Sequence, residues 1–158
     1  MNLVLNRNNM KESIGADMGT TDWLLIDQAR ISAFADCTDD RQFIHTDPEN
    51  AAKTPFGSTI AHGFLSLSML SYFAASIGCN FKNMVMVINY GFDKVRFLAP
   101  VKVNSHIRAH ARLLDVQEKR PGHYLLKQEV SIEIEGENTP ALIAEWLTMS
   151  ITRTDSEQ

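Results

Sequence analysis

The sequence predicts an α+β domain in which an antiparallel sheet wraps around one long buried helix. Three observations carry the prediction. "AHGFLSLSMLSYFAASIG", Ala61 to Gly78, contains no Asp, Glu, Lys or Arg, and a helix that is apolar all round is a buried one. "MVMVINYGF", from Met84, is a near-continuous apolar run with β-branched residues, which suits a strand with both faces buried. Beyond it, two long runs alternate apolar and polar residues, the pattern of half-buried antiparallel strands.

The elements follow in order. The first ~12 residues carry no pattern and read as a loose end. Asp27 is an N-cap for "QARISAFADCT", in which Ile31, Phe34, Ala35 and Thr38 recur at helical spacing. Asp47-Pro48 starts a second, short helix, "PENAAK", with Asp as cap and Pro in its first turn. That helix stops near Thr54-Pro55. The apolar stretch from Ala61 predicts about four helical turns, closed by Gly78. Val103, Ser105, Ile107, Ala109, Ala111 and Leu113 then point one way, and Asn104, His106, Arg108, His110 and Arg112 the other. Val130, Ile132 and Ile134 alternate with Glu129, Ser131, Glu133 and Glu135, and "LIAEWLTMSIT" closes the set. Turns are marked at Ala99-Pro100, Pro121-Gly122 and Gly136 to Pro140. The polar residues from Thr152 to Gln158 read as a tail. One long helix and about four later strands give the outline of a hot-dog fold. The two-sided apolar strand Met84–Tyr90 suggests that two subunits meet there, because a symmetric dimer is a common cover for such an edge. A loop or the first helix is the other way to cover it.

At 158 residues the chain is one domain, 1–158, with an ordered core of about 13–152. The net charge of -4 gives no electrostatic reason to bind nucleic acid or an anionic membrane. Cys37 and Cys79 show neither metal spacing nor a disulfide framework, as expected of a reducing compartment. "MNLVLNRNNMKES" lacks the apolar core and cleavage site of a signal peptide. Phe64 to Ile77, interrupted by serines, is too short and polar to span a bilayer. The expected location is the cytoplasm, with no membrane partner.

The candidate chemistry lies in "DDRQFIHTDP", Asp39 to Pro48. Asp40 and His45 are five residues apart, about 140° on a helix, so they share no helical face. They converge only where the chain leaves regular helix, and the caps place them between two helices. A carboxylate beside an imidazole fixes its tautomer, and the pair can hold and activate one water. Gln42 offers a donor and an acceptor for positioning. A solvated turn and an ordinary half-buried histidine are the plainer reading. In "TIAHGFL", Gly63 begins the apolar helix, where backbone N–H groups lack intrahelical partners and suit an oxygen gaining negative charge. Close packing is the other use of that glycine. Ser66 and Ser68 lack a Gly-x-Ser-x-Gly elbow. His106 and His110, flanked by Arg108 and Arg112, read as a solvated strand face more readily than as a metal site.

"ADCTDDRQFIHTDPENAAKTPFGSTIAHGFLSLSML" resembles the signature region of the MaoC-like dehydratases, which include the (R)-specific enoyl-CoA hydratases. "INYGFDKVRFLAPV" resembles their nodulation-protein-N-like branch. The resemblance covers about Ile26 to Val101. It implies a hot-dog fold, usually dimeric, and a hydro-lyase that adds water to a trans-2-enoyl thioester of coenzyme A. It implies Asp40 and His45 as the catalytic pair and the Gly63 backbone N–H as oxyanion donor. Gln42 stands where asparagine is common in the family, and Asp39 replaces a glycine. No cofactor or metal is implied, coenzyme A being part of the substrate. Phe64, Leu67 and Phe92 are candidates for the acyl chain. Lys94, Arg96 and Lys102 are candidates for the coenzyme A phosphates. A hot-dog thioesterase and a non-catalytic acyl-thioester binding or dimerisation module are the alternatives.

Overall fold

The computed structural model describes residues 3–153. The chain runs β1 (Leu3–Leu5), β2 (Asp17–Thr20), β3 (Leu24–Ile26), α1 (Gln28–Thr38), α2 (Phe43–Thr46), α3 (Pro48–Ala51), α4 (Gly63–Ser68), α5 (Leu70–Phe73), β4 (Cys79–Phe81), β5 (Met84–Phe97), β6 (Ser105–Arg120), β7 (His123–Ile134) and β8 (Leu142–Thr152). The main sheet is antiparallel, in the order β2-β6-β7-β8-β5, with β3 pairing a further part of β6. β1 and β4 pair in parallel beside it.

Alternation sets the inner face of the sheet. Ile107, Ala109, Ala111 and Leu113 on β6 and Leu126, Val130 and Ile132 on β7 are buried, together with Leu142, Ala144 and Trp146 on β8. The helix lies on that face through Leu65, Met69, Leu70 and Phe73, and Ile77 in the turn after it joins the same core. Burial of a Leu or Phe side chain contributes roughly 1.5–3 kcal/mol, so this stripe is a large share of what holds helix to sheet. The outer face is charged: Arg108 pairs with Glu133 at 2.7 Å, and His110 with Asp17 at 3.1 Å.

Several expectations are corrected. The four-turn helix is shorter, ending at Phe73, with Met69 between α4 and α5. Nor is it covered all round: Phe64 is 67% and Tyr72 60% exposed. A helix lying on one concave sheet buries one stripe, and small side chains (Ser68, Ser71, Ala74, Ala75) occupy much of the rest. The strand Met84–Tyr90 is not covered within one chain by a loop or the first helix: it is exposed along its length, and among the described residues β5 pairs only with β8. The N-terminus is not loose from Leu3 onward. Leu5 is fully buried in the parallel pair with β4, an interaction of three residues that gives no periodic signal. Of the expected tail, Thr152 closes β8, and residues 154–158 lie outside the described residues.

Candidate active site

Asp27 caps α1 by accepting from the Arg30 N–H at 2.9 Å. Asp47 caps α3, accepting from the Asn50 N–H at 3.0 Å. Between these helices, α1 ends at Asp39 in the left-handed region, with φ 60°, a conformation Asp tolerates better than most residues. The chain then passes Asp40 and Arg41 and enters α2 at Gln42. His45 therefore sits in a one-turn helix rather than in a loop, and Asp40 lies before that helix starts.

His45 is 6% exposed. Its Nδ1–H donates to the Ile60 carbonyl at 2.7 Å, which leaves Nε2 as the lone-pair nitrogen of the neutral ring. Burial holds its pKa below the ordinary imidazole value. Neighbouring His62 acts in the same direction, while the Ile60 carbonyl and Asp40 oppose it. A neutral imidazole with one free nitrogen is a general base ready to act. Gln28 braces the turn from behind: its amide donates to the His45 carbonyl at 2.8 Å and accepts from the Thr59 hydroxyl at 2.6 Å.

The strand-like segment 59–61 carries the second half of the site. Ile60 donates to the Ile44 carbonyl, Ala61 to the Val101 carbonyl, and Val103 to the Thr59 carbonyl. This delivers His62 as the N-cap of α4 and Gly63 as its first residue. His62 is 3% exposed. Its Nε2 lies 2.9 Å from the Asp40 carbonyl and 4.0 Å from the Asp40 carboxylate, and its ring stacks on His45 with centroids 3.7 Å apart. One ligand-type atom from each of Asp40, His45 and His62 lies within 4.8 Å of the others. The Asp40 side chain remains 57% exposed, so the pair presents one buried and one solvated group.

A pocket of about 280 Å³ opens beside this cluster, lined by His45, Gly63, Ser66, Phe97, Leu98 and Pro100 among others. A Cβ at Gly63 would stand 3.0 Å from the Phe97 ring, so the glycine lets that ring close over the first turn of α4. Phe64 meets the same Phe97 edge-on at 5.7 Å. A larger cavity of about 460 Å³ lies toward the other end of the helix, between Ser71, Ala74 and the side chains of Gln128, Trp146 and Thr148.

The structure thus brings Asp40, His45 and Gly63 together, and leaves Phe64 out of the pocket lining, against Phe97. Leu67 packs against the core. Phe92 lies on β5 against Trp146, with centroids 6.3 Å apart. Lys94 and Arg96 are on the same strand, and neither they nor Phe92 line the pocket at His45. Gln42 shapes the turn through its carbonyl, which accepts from the His45 N–H at 2.9 Å. Gln28 and the contacts of His62 were invisible to motif reading, since a lone glutamine after a cap and a histidine before a glycine each have many commoner uses.

The MaoC like domain family matches residues 9–134. The chain is 43% identical to nodulation protein N of Rhizobium meliloti over 92% of this chain and 91% of that one. It is 41% identical to 3-hydroxyacyl-thioester dehydratase Z of Mycobacterium tuberculosis over 87% and 90% of the two chains. The (R)-hydratase from A. caviae involved in PHA biosynthesis shares the fold, with a TM-score of 0.70 at 24% identity, covering 85% of this chain and 94% of that one.

Proposed function

The chain belongs to the MaoC-like dehydratase family, with its hot-dog fold, and from that premise we propose that it is an (R)-specific hydratase of trans-2-enoyl-CoA, forming 3-hydroxyacyl-CoA reversibly. The observation that carries the reading is the convergence of Asp40 and His45 beside a pocket that also contains Gly63. The thioester carbonyl accepts from the Gly63 N–H, which draws electrons from the conjugated alkene and leaves C3 electrophilic. Water held by Asp40 and His45 attacks C3, and its proton passes to the pair. Electrons move through C2 to the carbonyl oxygen, and the pair returns a proton to C2. The hydroxyl group and the hydrogen add across one double bond, and the carbon–sulfur bond stays intact. Each step uses a side chain or backbone group of this protein, so the reading needs no cofactor.

Burial pushes the Cys79 thiol up to about 12, which makes it a poor nucleophile. The acyl chain runs from the pocket along the helix, past Phe64. Two copies pair through the exposed apolar strand β5, whose edge and faces one chain leaves open. The location consistent with these free thiols and a coenzyme A substrate is the cytoplasm. No helix among the described residues is long and apolar enough to cross a membrane.

The test is the absorbance of crotonyl-CoA and longer enoyl-CoA substrates with a thiol reagent present. Loss of enoyl absorbance without thiol release is the expected result. Thiol release supports a thioesterase instead, and silence on every chain length supports a binding module.

A further inference from the structure

His62 touches every part of the site. It stacks on His45, reaches Asp40, and adjoins Gly63 through one peptide bond. Its placement is also costly. Donation from Nε2 to the Asp40 carbonyl leaves Nδ1 as a buried lone pair, and Nδ1 has no partner among the described residues. An unsatisfied buried polar atom is destabilising, and few are found in native proteins. An apolar ring would fill the same space between Phe34, 5.0 Å away, and His45 without that penalty. What the imidazole adds is the bond to Asp40.

That bond matters because little else holds Asp40. Its side chain projects largely into solvent, its N–H reaches the Thr38 hydroxyl only at 3.5 Å, and the preceding residue is the left-handed end of α1. His45, in contrast, is pinned by Ile60 and Gln28. We propose that His62 is a positioning residue for the hydration step: its Nε2–H holds the Asp40 backbone, and so the carboxylate, in register with His45 and Gly63. The inference rests on the hydratase reading and deepens it.

Asparagine and glutamine separate the donor from the ring. The Gln amide nitrogen reaches about as far as His Nε2, whereas that of Asn reaches only the Nδ1 position. His62→Asn is expected to lower kcat by about 10–100-fold, the scale of a misplacement near 1 Å, with KM within about threefold of wild type because the pocket walls are unchanged. His62→Gln is expected to recover most of that loss. Hydrogen exchange of the amides at 39–43 is expected to rise in the Asn variant and not in the Gln variant. If Asn and Gln variants share one kcat, or the Asn variant matches wild type, the inference is overturned while the hydratase reading stands. A wild-type chain with no activity on any enoyl-CoA removes both.

Discussion

Replacing His45 with glutamine separates catalysis from folding. The side chain does two jobs through two nitrogens. Nδ1 satisfies the Ile60 carbonyl at 2.7 Å, and Nε2 is the nitrogen proposed as the base. Loss of positioned acid–base work costs about 10²–10⁴-fold. Even the lower bound is ~2.7 kcal/mol of transition-state stabilisation, at 1.36 kcal/mol per tenfold. Loss of the Ile60 contact costs stability by no more than ~1–3 kcal/mol. A glutamine amide reaches the Nε2 rather than the Nδ1 position, so the Ile60 carbonyl loses its donor and that cost is expected in full. At ~2–4 °C per kcal/mol for a chain of this size, Tm falls by at most ~12 °C, leaving a folded enzyme. Enoyl-CoA absorbance gives the rate, and denaturant unfolding gives the stability. Turnover within threefold of wild type in a folded His45→Gln variant would refute the base assignment. A rate loss matched by unfolding would assign His45 to structure alone.

Asp40→Asn, at a largely solvated side chain, is expected to lower kcat by at least ~100-fold with no change in unfolding midpoint; wild-type turnover would remove it from the catalytic pair. Gly63→Ala drives a Cβ to 3.0 Å from Phe97. The shifted ring is expected to cost roughly 1–3 kcal/mol of stability and about tenfold in kcat/KM, and a variant equal to wild type in both contradicts the tight contact. Burial lowers the His45 pKa below its ordinary 6.5, so the acid limb of kcat/KM belongs below pH 6.5. The stability linked to His45 has the same sign, fully present above 6.5 and lost as pH falls through the folded value. An acid limb at or above 6.5 that shifts with His45 substitution would contradict the burial argument. Ile88→Lys, on the exposed run of β5, is expected to convert a dimer to a monomer in analytical ultracentrifugation, and an unchanged mass would place the dimer contact elsewhere.

Elements with a chemical marker were legible in the sequence. Asp27 and Asp47 announce helix starts because a carboxylate there accepts a backbone N–H, and both do so. Ile107 to Leu113 and Val130 to Ile134 announce strands because alternation has one geometric meaning. The errors share another cause. Phe64 and Tyr72 are apolar yet exposed, and Met84 to Tyr90 finds no cover from a loop or the first helix. Composition does not say whether the covering surface belongs to the same molecule. β1 was missed because three residues are too few to establish a period, although Leu5 is wholly buried. At the site, the motif pointed to Asp40, His45 and Gly63 but not to Gln28 or Thr59, whose bonds link positions 31 residues apart in the chain.

The five-residue offset between Asp40 and His45 has a structural consequence. α2 lasts one turn, and two bonds clamp it to a single residue: Ile60 donates to the Ile44 carbonyl at 3.0 Å and accepts from His45 Nδ1 at 2.7 Å. Three residues later the same segment ends at Gly63. His45 and the Gly63 N–H are thus fixed to one short stretch of chain, itself bonded to Val101 and Val103. Asp40 stands outside that clamp, on the left-handed exit from α1, and is joined to it through His62. Changes in residues 39–42 should therefore alter how the carboxylate meets water while leaving the relation of His45 to Gly63 intact. Changes at 59–61 should disturb both groups at once. The carboxylate is the adjustable member of the proposed pair, and Asp39 and Gln42 lie on its side of the site.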